Sequence, residues 1–105
     1  MIARHWKGIA KAEMATAYLN HLVKETIPEL KKISGFISVS VLKRPVIRGV
    51  EFLVATTWDS LEAINRFAGE DIDKAVVPVE VQQMMTGFDK HVSHYEITFE
   101  STRDK

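Results

Sequence analysis

Apolar and polar residues alternate along four stretches of this chain, and stretches between them carry apolar residues at helical spacing. Ile2 to Lys7 places Ile2, Arg4 and Trp6 on one face and Ala3, His5 and Lys7 on the other, the period of a β-strand. Both faces carry bulk, so both are expected to be covered. Gly8 to Ala12 reads as a loop. From Glu13 to about Glu25, Ala15, Tyr18, Leu19, Leu22 and Val23 form the stripe of an amphipathic helix. Pro28 cannot continue the hydrogen-bond ladder, so a kink or restart is predicted there, with a short second piece capped by Gly35. Phe36 to Arg44 alternates again, with Ile37, Val39 and Val41 against Ser38, Ser40 and Leu42. Pro45 to Gly49 then has the length of a hairpin connection.

Val50 to Trp58 is the third predicted strand, with Val50, Phe52, Val54, Thr56 and Trp58 on one face and Glu51, Leu53, Ala55 and Thr57 on the other. It runs straight into a helix from Ser60 to Ala68. Asp59 is the expected N-cap, and Glu62 completes a capping box. Leu61, Ile64, Phe67 and Ala68 form the apolar side, and Gly69 stands where a left-handed residue ends a helix. Trp58 therefore lies at the end of a buried strand beneath a helix start. There its indole either packs as core or closes a cavity between sheet and helix.

Asp71 to Ala75 predicts one more helical turn. Val79 to Thr86 predicts a short helix closed by Gly87, with Val81, Met84 and Met85 as a packing stripe. His91 to Phe99 is the fourth strand, with His91, Ser93, Tyr95 and Ile97 opposite Val92, His94, Glu96 and Thr98. The order β-α-β-β-α-β is that of an α+β, ferredoxin-like antiparallel sheet with its helices on one face. The other face, carrying residues such as Leu53 and Ala55, is too apolar to leave in water. Two sheets packed face to face in a homodimer, a dimeric α/β barrel, are expected to solve this. Residues 1–100 read as one domain and residues 101–105 as a loose tail.

Charge narrows the partners. Fourteen basic residues balance fourteen acidic ones, which lacks the footprint of a nucleic-acid binder. No apolar run is long enough to span a membrane, and the amino terminus has no signal-peptide layout, so a cytoplasmic location is expected. Without cysteine there are no disulfides or thiolate sites. No phosphate-binding glycine loop, zinc-protease motif or serine elbow appears. His91 and His94 fall on opposite strand faces, so no shared metal is expected. What remains is a set of polar groups on apolar strands and the first helix: Arg4, His5, Trp58, His94 and Tyr18. They are either satisfied core residues or the lining of a ligand cavity.

The strand Met1-Ile2-Ala3-Arg4-His5-Trp6, the run Thr57-Trp58-Asp59-Ser60-Leu61-Glu62-Ala63, the segment from Phe67 to Ala75 and the closing His94-Tyr95-Glu96 resemble the antibiotic biosynthesis monooxygenase family. The resemblance spans roughly residues 1 to 98. It implies a dimeric barrel, and for some relatives a cofactor-independent oxidation of quinol- or anthrone-type phenols by dioxygen, in which the substrate supplies the electrons. It places Trp58 in the substrate cavity. Within that reading His5 and His94 are candidate bases by residue type and strand position. Arg4, Tyr18, Arg66 and Phe67 are candidate substrate contacts, Arg66 as the partner of a phenolate. A haem-degrading branch carries a tryptophan matching Trp58, but its strand asparagine falls on Arg4 or His5 and its iron-ligating histidine on Val76 or Val77. The expected partners are thus a small aromatic substrate, dioxygen and a second copy, with no cofactor. The alternatives are a hydrophobic small-molecule-binding dimer without catalysis, a purely structural dimer, and haem binding.

Overall fold

The computed structural model describes residues 1–103. Five strands form one antiparallel sheet: β1 (Ile2–Ala10), β2 (Phe36–Val46), β3 (Gly49–Trp58), β4 (Met85–Phe88) and β5 (Ser93–Glu96). The order is β2-β3-β1-β4, with β5 also paired to β1. β4 and β5 are therefore two pieces of the fourth ferredoxin-like strand. β4 pairs with β1 from Gly8 to Ala10 and β5 with β1 from Ile2 to His5. The predicted loop after Lys7 is absent because β1 runs on to Ala10, held by β3 on one side and β4 on the other.

Register fixes what each face carries. Arg4 sits opposite Thr56, Trp6 opposite Val54 and Ile2 opposite Trp58 on the face turned to the helices. His5 sits opposite Ala55 on the bare face. On β2 the alternation breaks at Ile37, where a bulge lets Phe36 take the place beside Trp58 and leaves Ile37 exposed. The inner face has two cores. Ala10, Tyr18, Leu22, Phe52, Val81 and Met85 fill one, and Leu30, Trp58, Ala63 and Ile64 fill the other.

The first crossover is helical but not uniformly α-helical. α1 (Ala15–His21) leads into a π-helical turn (Leu22–Thr26), then α2 (Ile27–Leu30). The wide turn closes with the Ile27 N–H on the Leu22 carbonyl. It lies just before Pro28, whose ring would clash with the carbonyl four residues back in an unbroken α-helix. Val23, inside that turn, is 53% exposed and does not belong to the predicted stripe. Gly35, at φ 97°, hands the chain to β2 in a conformation that a side chain would resist.

α3 (Leu61–Ala68) starts one residue later than the capping box predicts: the Ser60 hydroxyl accepts from the Ala63 N–H, while the Asp59 N–H is taken by the Gly35 carbonyl. Gly69 ends the helix with a positive φ, 86°, but its ψ of −165° is extended and not that of the left-handed cap expected. The predicted turn over Asp71–Ala75 is present as a single turn at Ile72 and Asp73, closed by the Lys74 N–H on the Asp71 carbonyl at 3.2 Å, after which Lys74 bridges to His91. Ile72 and Lys74 accept from Arg4, and Asp73 accepts from the Val92 N–H. The predicted helix to Thr86 is only one turn, α4 (Val79–Gln82), because Met85 to Phe88 pairs with β1. Val81 and Met85 pack into the core as expected. The tail reading falls partly on residues 104–105, which lie outside the described residues.

Candidate functional site

Between the inner face of the sheet and the helices lies a cavity of about 80 Å³. The sheet supplies Arg4, Trp6, Val54 and Thr56 to its wall. The first helical crossover supplies Tyr18, His21, Leu22, Thr26 and Leu30. The remaining wall is Phe67 from α3, the stretch Val76-Val77-Pro78, Val81 from α4, and Val92. Most of this surface is aliphatic or aromatic, with a few polar groups that either have partners or lack them.

Arg4 is among those with partners. Its guanidinium donates to the carbonyls of Ile72 and Lys74, the latter at 3.1 Å, and to His94 Nε2 at 3.0 Å. It also lies 5.6 Å over the Phe67 ring. Because Arg4 has only protons to give, His94 Nε2 must accept. His94 Nδ1–H then donates to Asp73 Oδ1 at 3.2 Å, which makes His94 the neutral, Nδ1-protonated tautomer. Burial and the Arg4 charge hold His94 below the usual histidine range, with Asp73 pulling the other way. Burial likewise lowers Arg4, opposed by Asp73. Arg4 is thus both a wall of the cavity and the pin that holds the 72–74 segment to β1.

Tyr18 lacks a partner. Its ring is wedged edge-on against Phe52, centroids 4.8 Å apart, and the residue is 2% exposed. No hydrogen bond reaches its hydroxyl among the described residues, yet no buried side-chain oxygen is left unsatisfied, so the hydroxyl keeps access to the cavity it lines. Burial pushes the phenol far above its ordinary range, so it is a donor and not a phenolate.

The residues singled out from the sequence fall into two groups. Arg4, Tyr18 and Phe67 meet at the cavity. Trp58 does not line it. The indole is fully buried, stacked on Phe67 at 5.8 Å and edge-on to Phe36 at 5.3 Å. Its N–H donates to Thr56 Oγ1 at 2.9 Å, and that hydroxyl donates in turn to the Arg4 carbonyl. Phe67 is, with Trp6 and Tyr18, an aromatic surface of the cavity, and Trp58 supports Phe67 from behind. His5 is on the opposite face of the sheet, 5.3 Å from the Tyr95 ring, so it faces away from the cavity. His94 is on the inner face, but its Nε2 lone pair is taken by Arg4 and it is not a free base. Arg66 points outward and donates to the Ser34 carbonyl at 2.9 Å, bracing α3 against the loop before β2. His21 and Thr26 line the cavity and were not singled out by the sequence, because only the π turn brings both to one side. No group of three acidic or histidine side chains able to hold a metal occurs among the described residues. No helix among them is long and apolar enough to cross a membrane.

No protein-family profile matches the sequence, and no curated protein matches it. Solved structures do. A provisionally named antibiotic biosynthesis monooxygenase from Bacillus cereus superposes with a TM-score of 0.70 at 21% identity, covering 100% of this chain and 98% of that one. A second from Deinococcus radiodurans gives 0.63 at 21% identity, covering 100% and 99%. The haem degrader MhuD of Mycobacterium tuberculosis, solved with two haems in its active site, gives 0.62 at 19% identity, covering 97% and 100%. The chain therefore has the ferredoxin-like fold that these antibiotic biosynthesis monooxygenases adopt.

Proposed function

We propose that the chain is a dimeric oxygenase of the antibiotic biosynthesis monooxygenase type, oxidising a small hydroxylated aromatic molecule with dioxygen and no bound cofactor. The observation that carries the reading is the apolar cavity with the Tyr18 hydroxyl open to it, in a fold shared with such proteins. For a hydroquinone the balance is simple. One oxygen atom enters the ring, the other leaves as water, and the substrate gives up all four electrons on becoming a hydroxyquinone. Removal of a phenolic proton makes the ring electron-rich enough to reduce dioxygen. The protein contributes orientation, a dry site and a donor to the ring oxygen.

Volume selects the substrate class. The cavity of about 80 Å³ is near half the size of the ~150 Å³ engineered cavity that admits benzene. A single ring enters if the Val76-Val77-Pro78 wall gives way, whereas an anthrone requires far more. Oxygen uptake is therefore expected with hydroquinone and its alkyl derivatives, and little with anthrone. No uptake with any of these would overturn the oxidation. A melting shift with hydroquinone under argon but no oxygen consumption in air would leave only the sequestering reading.

Haem does not fit. A tetrapyrrole exceeds the drug-sized ligands that occupy pockets of about 300–1,000 Å³, far above this volume. The wall facing the helix offers Val76 and Val77, which have no donor for iron. The one imidazole on the cavity, His21, comes from the opposite side.

The dimer rests on the bare face of the sheet. Leu42 and Tyr95 are 51% and 56% exposed there, beside Leu53, Ala55 and Ile9. The chain is expected to run in light scattering at twice its 11.9 kDa mass, and Leu53→Lys to shift it to one chain. A wild-type protein that stays monomeric at micromolar concentration would remove this part.

A further inference from the structure

We propose that the π turn of the first helical crossover builds a polar strip, Tyr18, His21 and Thr26, that recognises the oxygen of a phenolic ring in the cavity. It takes the single-ring phenol as ligand from the reading above, but does not depend on that ring being oxidised.

In a plain α-helix, residues four apart overshoot a full turn by about 40° at each step. Tyr18, Leu22, Thr26 and Leu30 would then spiral away from a common line. The wide turn at Leu22–Thr26 absorbs that drift, and all four line the cavity. Such a turn weakens helix geometry and recurs at functional sites. Here it has a visible consequence: it keeps polar groups among the aliphatic ones facing the void.

Those groups are unused within the chain. Neither Tyr18 nor His21 nor Thr26 has a side-chain hydrogen bond among the described residues, although Arg4, Trp6 and Thr56 on the facing sheet are all engaged. A helical threonine ordinarily bonds back to its own preceding turn, and Thr26 does not. The Tyr18 hydroxyl opens onto the cavity with no partner in the described chain, whereas a phenylalanine would fill the same place and present no donor there. The missing partner is an acceptor oxygen on an otherwise apolar ligand. Tyr18 donates to it. His21, one helical step away and half-buried, accepts a hydrogen bond from the phenol hydroxyl on an imidazole nitrogen, so that the ring oxygen donates to His21 and accepts from Tyr18.

The test compares phenol with benzene, titrated anaerobically against the full chain by NMR. Wild type is expected to prefer phenol, and Tyr18→Phe to lower that preference by about tenfold, since the ring still packs on Phe52. His21→Leu is expected to reduce it severalfold. A packing defect would weaken both ligands together and leave their ratio unchanged, which separates it from lost recognition. If wild type binds benzene as well as phenol, or binds neither, the strip has no such role. If the Tyr18→Phe ratio equals that of wild type, the hydroxyl serves a cavity water and the proposal fails. If only His21→Leu leaves the ratio unchanged, the hydrogen-bond acceptor is wrong. A phenol preference without oxygen uptake would support the strip while removing the oxidation.

Discussion

Trp58→Ala is expected to cost about 3–5 kcal/mol of folding stability, the range for deleting a large aromatic side chain from a core. For a domain of this size that is a large share of the total, with a melting shift on the order of 20 °C. The cause is local and specific. The indole is fully buried, holds the Phe67 ring on one side and the Phe36 edge on another, and donates its N–H to Thr56. Removing it leaves a void beneath Phe67, which is an aromatic wall of the cavity. Trp58→Phe keeps most of the stacking and loses one hydrogen bond, so a cost of about 1–2 kcal/mol is expected. Chemical denaturation of both variants checks the ranking. Equal, small losses would mean that Trp58 reaches the cavity directly and that its neighbours collapse around it.

That prediction also marks where sequence reading stops. The alternation in β1 and β3 was enough to put Arg4, Trp6, Thr56 and Trp58 on one face, and the register agrees residue by residue. It was not enough to say which inward residue touches empty space. Trp58 and Phe67 look equally suitable in the sequence, and only their order in the stack decides between them. Faces are a matter of period, whereas cavities are a matter of volumes that do not quite fill. The same limit hid His21 and Thr26. Helical periodicity assumes 3.6 residues per turn, and one π turn moves Thr26 onto the side already held by Tyr18, His21 and Leu22. The turn at 71–74 was legible, but its attachment was not: a guanidinium from the far end of the chain captures the Ile72 and Lys74 carbonyls. The same network engages His94, and residue type alone does not reveal that its lone pair is occupied.

Arg4→Met is expected to be the most damaging change on the sheet side of the cavity. It keeps much of the packing on Phe67 but strips partners from the Ile72 and Lys74 carbonyls and from His94 Nε2. A fully buried group left unpaired costs about 1–3 kcal/mol, and water reaches these part-buried ones, so a total loss of about 3 kcal/mol follows. Amide exchange should locate it. The Ala75 and Val92 N–H groups, bonded to Lys90 and Asp73, lose protection because the segment is no longer pinned. Acid should act on the same pin in the wild type. The folded protein holds His94 below its ordinary pKa of 6.5, so the unfolded chain binds the proton more readily. The stability contributed by neutral His94 is complete above 6.5 and is lost as pH falls from there towards the lower folded value. Protonation also sets an imidazolium N–H against the Arg4 guanidinium, which repels it. His94→Gln offers an acceptor to Arg4 and a donor to Asp73 without titrating. It should therefore flatten the fall in melting temperature between pH 7 and 5 relative to wild type. A variant as acid-sensitive as the parent would place the proton elsewhere, and Ala75 and Val92 amides that stay protected in Arg4→Met would show that the segment is held by β5 rather than by the guanidinium.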